Sequence, residues 1–185
     1  LDGIVSGTDA GELIDENYIG DPQGDMVDNG DNVFSTDPAE EDDDQIVAGG
    51  GNDTILAGEG DDLIFGGEGD DQVNGGTGDD TISGGSGDDT IAGAAGDDRI
   101  VGGIGDDSIT GGGDDDTLTG NEGNDTLNGS SGDDSVDGGA GDDSILGGLG
   151  SDTVDGGAGD DVIDTGNGDI SVDMGYPGIT TDDTD

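Results

Sequence analysis

The sequence predicts an all-β solenoid in which two sheets face each other and each coil takes 18 residues. A nine-residue unit recurs fourteen times without an insertion between residues 48 and 173. The eighth residue of every unit is aliphatic, whereas the first six residues are rich in Gly and Asp. A short strand with one aliphatic side chain cannot bury it alone, so the strands of successive units must stack. Two units then complete one coil.

Composition excludes several classes of function. The chain has 185 residues, of which 45 are Gly and 50 are Asp or Glu, with one cation, Arg99, and no His or Cys. The net charge of −49 excludes nucleic acid and anionic membranes as partners, since both are bound by clustered Lys or Arg. Without His, Cys or Lys, nucleophile pairs, thiolate metal sites and Schiff bases are also excluded. Acid pairs recur at the same place in ten of the fourteen units, so no single catalytic pocket is expected and the chain is not predicted to be an enzyme.

The unit divides into a loop part and a strand part. Gly75 to Ser83 forms one example, with the order Gly-Gly-Thr-Gly-Asp-Asp-Thr-Ile-Ser. Positions one to six have turn chemistry and are predicted to be loop. Positions seven to nine are predicted to be a three-residue strand whose central aliphatic side chain points inward. Position four is Gly in every unit except at Asp114, which indicates a backbone conformation that Gly adopts most easily.

A cation is needed to hold such a roll together. The predicted core is one side chain deep, and the conformational entropy of ordering the array exceeds what that core can offset. Acids stacked coil upon coil add repulsion. Stacked Asp side chains flanked by glycine carbonyls offer only oxygen ligands in a flexible geometry. Calcium fits such a cage better than magnesium, while zinc and copper prefer nitrogen or sulfur.

The unit resembles the Gly-Gly-x-Gly-x-Asp-x-aliphatic-x nonapeptide of the repeats-in-toxin (RTX) proteins, and Gly66 to Asn74 matches it position by position. The resemblance implies a right-handed parallel β-roll, secretion from a Gram-negative bacterium, and calcium bound between neighbouring loops. About twelve ions are expected if each gap between successive loops binds one. The ligands that the resemblance implies are Asp53, Asp62, Asp71, Asp80, Asp89, Asp98, Asp107, Asp116, Asp125, Asp134, Asp143, Asp152 and Asp161, with Asp44 as a further candidate.

Departures from the unit predict weaker calcium sites. Position one is Ala at 48 and 57, position two is Ala94, Asn121 or Ser130, and position four is Asp114. Arg99 lies at position seven, where we expect it to point outward as a solvated surface residue rather than a binding group.

The two ends differ from the array. Residues 1–47 are predicted to form an N-terminal cap with a degenerate unit, Gly7 to Asp15, because an open solenoid end exposes strand edges. Asp21, Asp25, Asp28 and Asp31 could bind another calcium ion or be ordinary loop acids. Residues 174–185 are predicted to be a tail or linker.

The sequence therefore predicts a calcium-binding β-roll of a secreted protein, disordered in the calcium-poor cytosol and folded outside the cell. It would act in secretion and as a folding nucleus or spacer beside other domains of a larger protein. The alternative is a structural or adhesive cell-surface protein that associates end to end.

Overall fold

The computed structural model describes residues 43–164 and residue 166 in full, together with the backbone of four short strands at 4–6, 13–14, 171–172 and 180–181. All the regular structure in these residues is strand. Accordingly, this part of the chain has no helix of the length and apolar character that crossing a membrane requires.

Twelve six-residue strands form the body of the fold. They follow two short strands, β1 (Ile4–Ser6) and β2 (Leu13–Ile14), and precede four more, β15 (Thr153–Asp155), β16 (Val162–Asp164), β17 (Ser171–Val172) and β18 (Thr180–Thr181). The twelve are β3 (Gln45–Gly50), β4 (Thr54–Glu59), β5 (Leu63–Glu68), β6 (Gln72–Thr77), β7 (Thr81–Ser86), β8 (Thr90–Ala95), β9 (Arg99–Ile104), β10 (Ser108–Gly113), β11 (Thr117–Glu122), β12 (Thr126–Ser131), β13 (Ser135–Ala140) and β14 (Ser144–Leu149).

The strands are twice as long as the sequence predicts. Each of the twelve runs from position seven of one unit through position three of the next, so the prediction that positions one to three are loop is wrong. Considered alone, a Gly-Gly pair is typical of a turn. In the structure, pairing with strands of the neighbouring coils keeps it extended, as in Gly49↔Gly67. Only positions four to six remain to turn the chain.

The strands form two parallel nine-stranded sheets. Odd-numbered strands make one sheet in the order β1 to β17, and even-numbered strands make the other in the order β2 to β18. Paired residues within the array are 18 apart, as in Ile64↔Ile82 and Ile91↔Ile109. The predicted two-sheet β-roll with an 18-residue coil is therefore confirmed.

A single layer of aliphatic side chains fills the space between the sheets. Every eighth-position residue from Ile55 to Ile163 is buried, and Ile46, Ala48 and Ala57 extend this layer at its N-terminal end. Position nine faces outward, and position one faces inward again, because side chains alternate along a strand. Arg99 is exposed, as predicted.

The register continues beyond the array at both ends. Strand β2 pairs with β4 through Ile14↔Ile55, so the backbone places Ile14 at the register position of an eighth residue. This offset is 41 residues rather than 18, so 23 additional residues separate β2 from β3. Asp21, Asp25, Asp28 and Asp31 lie outside the described residues. Strand β18, in the segment interpreted as tail, pairs with β16 at the usual offset of 18.

Candidate metal centre

The aspartate at position six of the unit ends the turn and is held inside the roll. The fourteen aspartates at this position, from Asp44 to Asp161, are buried to between 1% and 6% exposure. They form one row along each edge, because alternate turns lie on opposite sides. Asp53, Asp71, Asp89, Asp107, Asp125, Asp143 and Asp161 form one row; Asp44, Asp62, Asp80, Asp98, Asp116, Asp134 and Asp152 form the other.

The carboxylates from Asp62 to Asp161 are each fixed by a hydrogen bond to the preceding coil. The backbone N–H of Asp89 donates to Oδ1 of Asp107 at 2.8 Å. The same bond recurs from Asp44, whose N–H donates to Oδ1 of Asp62, to Asp143, whose N–H donates to Oδ1 of Asp161. We call this series the inner ladder. It orients one oxygen of each carboxylate and leaves the second oxygen, Oδ2, for another role.

The second oxygen lacks a hydrogen-bond partner throughout the middle of the roll. In each of the eleven sixth-position aspartates from Asp62 to Asp152, Oδ2 is buried and accepts no hydrogen bond. A buried carboxylate oxygen without a partner is costly, and a native structure rarely repeats such a cost without a reason. A row of bound cations would give each of these oxygen atoms the partner that it lacks.

Burial also raises the pKa of most of these carboxyl groups. The pKa of Asp62 rises to about 8, and that of Asp80, Asp107 and Asp116 to about 7. Loss of hydration is the main cause, the ladder hydrogen bond opposes it, and neighbouring carboxylates add to it. Without a counter-charge, the roll therefore favours the protonated form of Asp62 at neutral pH and leaves Asp80, Asp107 and Asp116 partly protonated. A cation would restore the charged form.

Glycine at position one leaves the space beside Oδ2 open. A Cβ atom built on Gly66 would stand 2.5 Å from Oδ2 of Asp71 and 2.6 Å from the carbonyl oxygen of Gly84 in the next coil. A carboxylate oxygen and a backbone carbonyl oxygen thus border the same space. The position-one glycines from Gly66 to Gly156 all adjoin the Oδ2 of their own unit's aspartate in this way.

The donor set fits a hard cation bound partly by the backbone. Between residues 43 and 164, no three acidic side chains converge on one point. Side chains alone therefore do not complete a cage, and backbone carbonyls must supply the remaining oxygens. Oxygen ligands of mixed origin in a flexible loop suit calcium better than magnesium.

A second ladder, which the sequence analysis missed, runs along the outside of the turns. The backbone N–H of Asp79 donates to Oδ1 of Asp61, and that of Asp97 donates to Oδ1 of Asp79, at 2.8 and 2.9 Å. These fifth-position side chains are exposed and reach in the opposite direction to the inner ladder. We call this series the outer ladder. Position five holds Asp, Asn or Ser in all fourteen units, a restriction to small hydrogen-bonding side chains that could have revealed it.

Four departures from glycine carry backbone strain. Ala94, Asn121, Ser130 and Asp114 all have positive φ angles, between 73° and 91°. Glycines at positions two and four share the positive sign, as at Gly103. The prediction that position four requires a conformation open to Gly and tolerated by Asp is confirmed. Position two has the same requirement.

Comparison with known proteins agrees with this geometry. The profile of the family described as RTX calcium-binding nonapeptide repeat matches seven overlapping segments: 39–73, 65–100, 74–109, 93–127, 110–145, 119–154 and 137–169. Together they span residues 39–169, well over half of the chain. The chain therefore belongs to the RTX calcium-binding nonapeptide repeat family. No curated protein matches it.

Proposed function

We propose that this chain is a calcium-dependent folding module in which the sixth-position aspartates are the side-chain ligands. Calcium binds in the gaps between successive turns on each edge, about twelve gaps in all if each holds one ion. The single observation that carries the proposal is the row of buried, unpartnered Oδ2 atoms from Asp62 to Asp152. Bound calcium supplies their missing partner and offsets the charge of the row.

Folding and calcium binding are coupled in this proposal. The core contributes one aliphatic side chain per unit, which is a small hydrophobic gain for nine ordered residues. Charging the inner aspartates in the absence of calcium destabilises the roll further. The binding free energy of the ions is then part of the folding free energy. The chain is unfolded at cytosolic calcium concentrations and folds in the millimolar calcium outside the cell.

The biological role follows from that switch. An unfolded chain is suited to export, and a roll that forms afterwards can nucleate or space the domains attached to it. We therefore propose a secreted bacterial protein in which this roll is a structural segment.

Circular dichroism of the full chain at pH 7.5 tests the proposal. We expect a disordered spectrum in excess chelator, a β spectrum in millimolar calcium, and little change in the same concentration of magnesium. A β spectrum that is unchanged by removal of calcium would refute the coupling.

A second candidate is a structural or adhesive protein that stacks end to end. The described strands leave each sheet with a terminal strand at both ends, β1 and β17 in one sheet and β2 and β18 in the other. A terminal strand can pair with another chain. Small-angle scattering that finds a monomer at every protein and calcium concentration would exclude this candidate.

A further inference from the structure

The first residue of the unit faces the interior at the junction between the aliphatic layer and the turn. It is buried in every strand from β3 to β14. From Gly66 to Gly156 this residue is always Gly, whereas the first two units have Ala48 and Ala57. The register stacks Ala48 on Gly66, between the pairs Val47↔Phe65 and Gly49↔Gly67. Ala57 stacks on Gly75 in the same way, between Leu56↔Asn74 and Gly58↔Gly76.

Ala48 and Ala57 carry a methyl group at a position where the later coils have only hydrogen. At Gly66, a methyl carbon would approach Oδ2 of Asp71 to 2.5 Å and the carbonyl oxygen of Gly84 to 2.6 Å. Real side chains do not tolerate such distances, so carbon and ligand oxygens cannot share that space unchanged. Ala48 and Ala57 lie at the equivalent register position of their strands and carry this methyl group. They are 0% and 4% exposed and belong to the aliphatic layer.

We propose that the residue at position one decides whether a gap binds calcium, and that Ala48 and Ala57 each close one gap near the N-terminal end of the array, one on each edge. These are the gap between Asp53 and Asp71 and the gap between Asp62 and Asp80. The next gap along each edge, beside Gly66 or Gly75, binds calcium. This inference rests on the proposed function, because it assigns occupancy among the same inner aspartates.

Alanine in place of glycine at position one exchanges stabilisation by a bound ion for stabilisation by apolar packing. A methyl group adds to the buried aliphatic layer beside Ile46, Ile55 and Ile64, whereas a glycine leaves room for an ion. The N-terminal coil is therefore held by apolar contacts, and the later coils depend on calcium. Such an arrangement gives the calcium-dependent coils an ordered edge on which to pair.

Native mass spectrometry of the full chain in calcium tests the proposal by counting bound ions. The double variant Ala48→Gly/Ala57→Gly is expected to bind two ions more than the unmodified chain, and Ala57→Gly alone one more. The reverse variant Gly66→Ala/Gly75→Ala is expected to bind two fewer. Gly113→Ala is the matched control, since a Cβ there meets nothing closer than 3.9 Å, and its count is expected to stay the same.

The outcomes separate this inference from the proposed function. If the unmodified chain binds calcium but the count is unchanged in both Ala→Gly variants, the inference is overturned and the proposed function stands. If the unmodified chain binds no calcium, both are overturned. The Ala→Gly variants keep the test valid if Gly66→Ala/Gly75→Ala does not fold, because they add no atoms to the roll.

Discussion

Adjacent aspartates in one turn allow a direct comparison of the two ladders. Oδ1 of Asp107, on the inner ladder, accepts the N–H of Asp89, and Oδ1 of Asp106, on the outer ladder, accepts the N–H of Asn124, both at 2.8 Å. Asp107→Asn and Asp106→Asn each remove one negative charge and keep that acceptor. The two variants therefore differ in the burial of the site and in whether the lost oxygen faces a gap.

The expected effects of the two substitutions differ severalfold. Asp107 borders two gaps between successive turns, one shared with Asp89 and the other shared with Asp125. An ion present at 100 times its dissociation constant stabilises the fold by about 2.7 kcal/mol, so loss of one or both ions lowers the free energy of unfolding by about 3–5 kcal/mol. Asp106→Asn, at an exposed site, should change it by less than about 0.5 kcal/mol.

Calorimetric calcium titration and urea unfolding of the calcium-saturated variants measure these effects. We expect Asp107→Asn to lose one or two ions and Asp106→Asn to lose none. Equal losses in the two variants, or an unchanged ion count in Asp107→Asn, would show that the inner carboxylates are not the ligands.

Three further predictions concern acid, the core and the backbone. Because folding raises the pKa of Asp62 from 3.8 to about 8 and that of Asp80 to about 7, their protonation stabilises the calcium-free roll fully below pH ~4, and this stabilisation is lost as the pH rises through 7–8. Calcium-free protein should therefore gain β structure on acidification, as measured by circular dichroism; a disordered spectrum at every pH would contradict this. Ile100→Ala should cost about 3 kcal/mol in urea unfolding with calcium, because its side chain is buried, whereas Ile104→Ala, at a residue 58% exposed, should cost less than ~0.5 kcal/mol. Ser130→Gly should stabilise the roll by about 1 kcal/mol in the same assay, because Ser130 has a φ of 81°; a destabilised variant would show that this angle is not strained.

The periodicity of the sequence was sufficient to predict the coil, the core and the two rows of inner aspartates. An invariant spacing of nine residues fixes which side chains stack, since any slip by one residue would move Ile82 and its neighbours out of the core. The extent of the strands could not be predicted in this way. Gly-Gly is a turn signal when considered locally, and it becomes strand only because identical segments pair on both sides.

The details of the turns could not be predicted from the sequence. The sequence identifies Asp88 and Asp89 only as neighbouring acids. In the structure, Asp88 is exposed and accepts the N–H of Asp106, whereas Asp89 is buried and accepts the N–H of Asp71. Opposite directions of hydrogen bonding follow from which side of the turn each residue faces, and this is a property of the folded backbone.

Anomalous X-ray diffraction from crystals of the calcium-loaded protein tests the central claim most directly. The account predicts two rows of calcium peaks along the edges of the roll, spaced by ~4.8 Å and in contact with Oδ2 of inner aspartates such as Asp98 and Asp107. A roll whose peaks lie only beside the exposed outer ladder, or which forms with no ordered calcium at all, would contradict it.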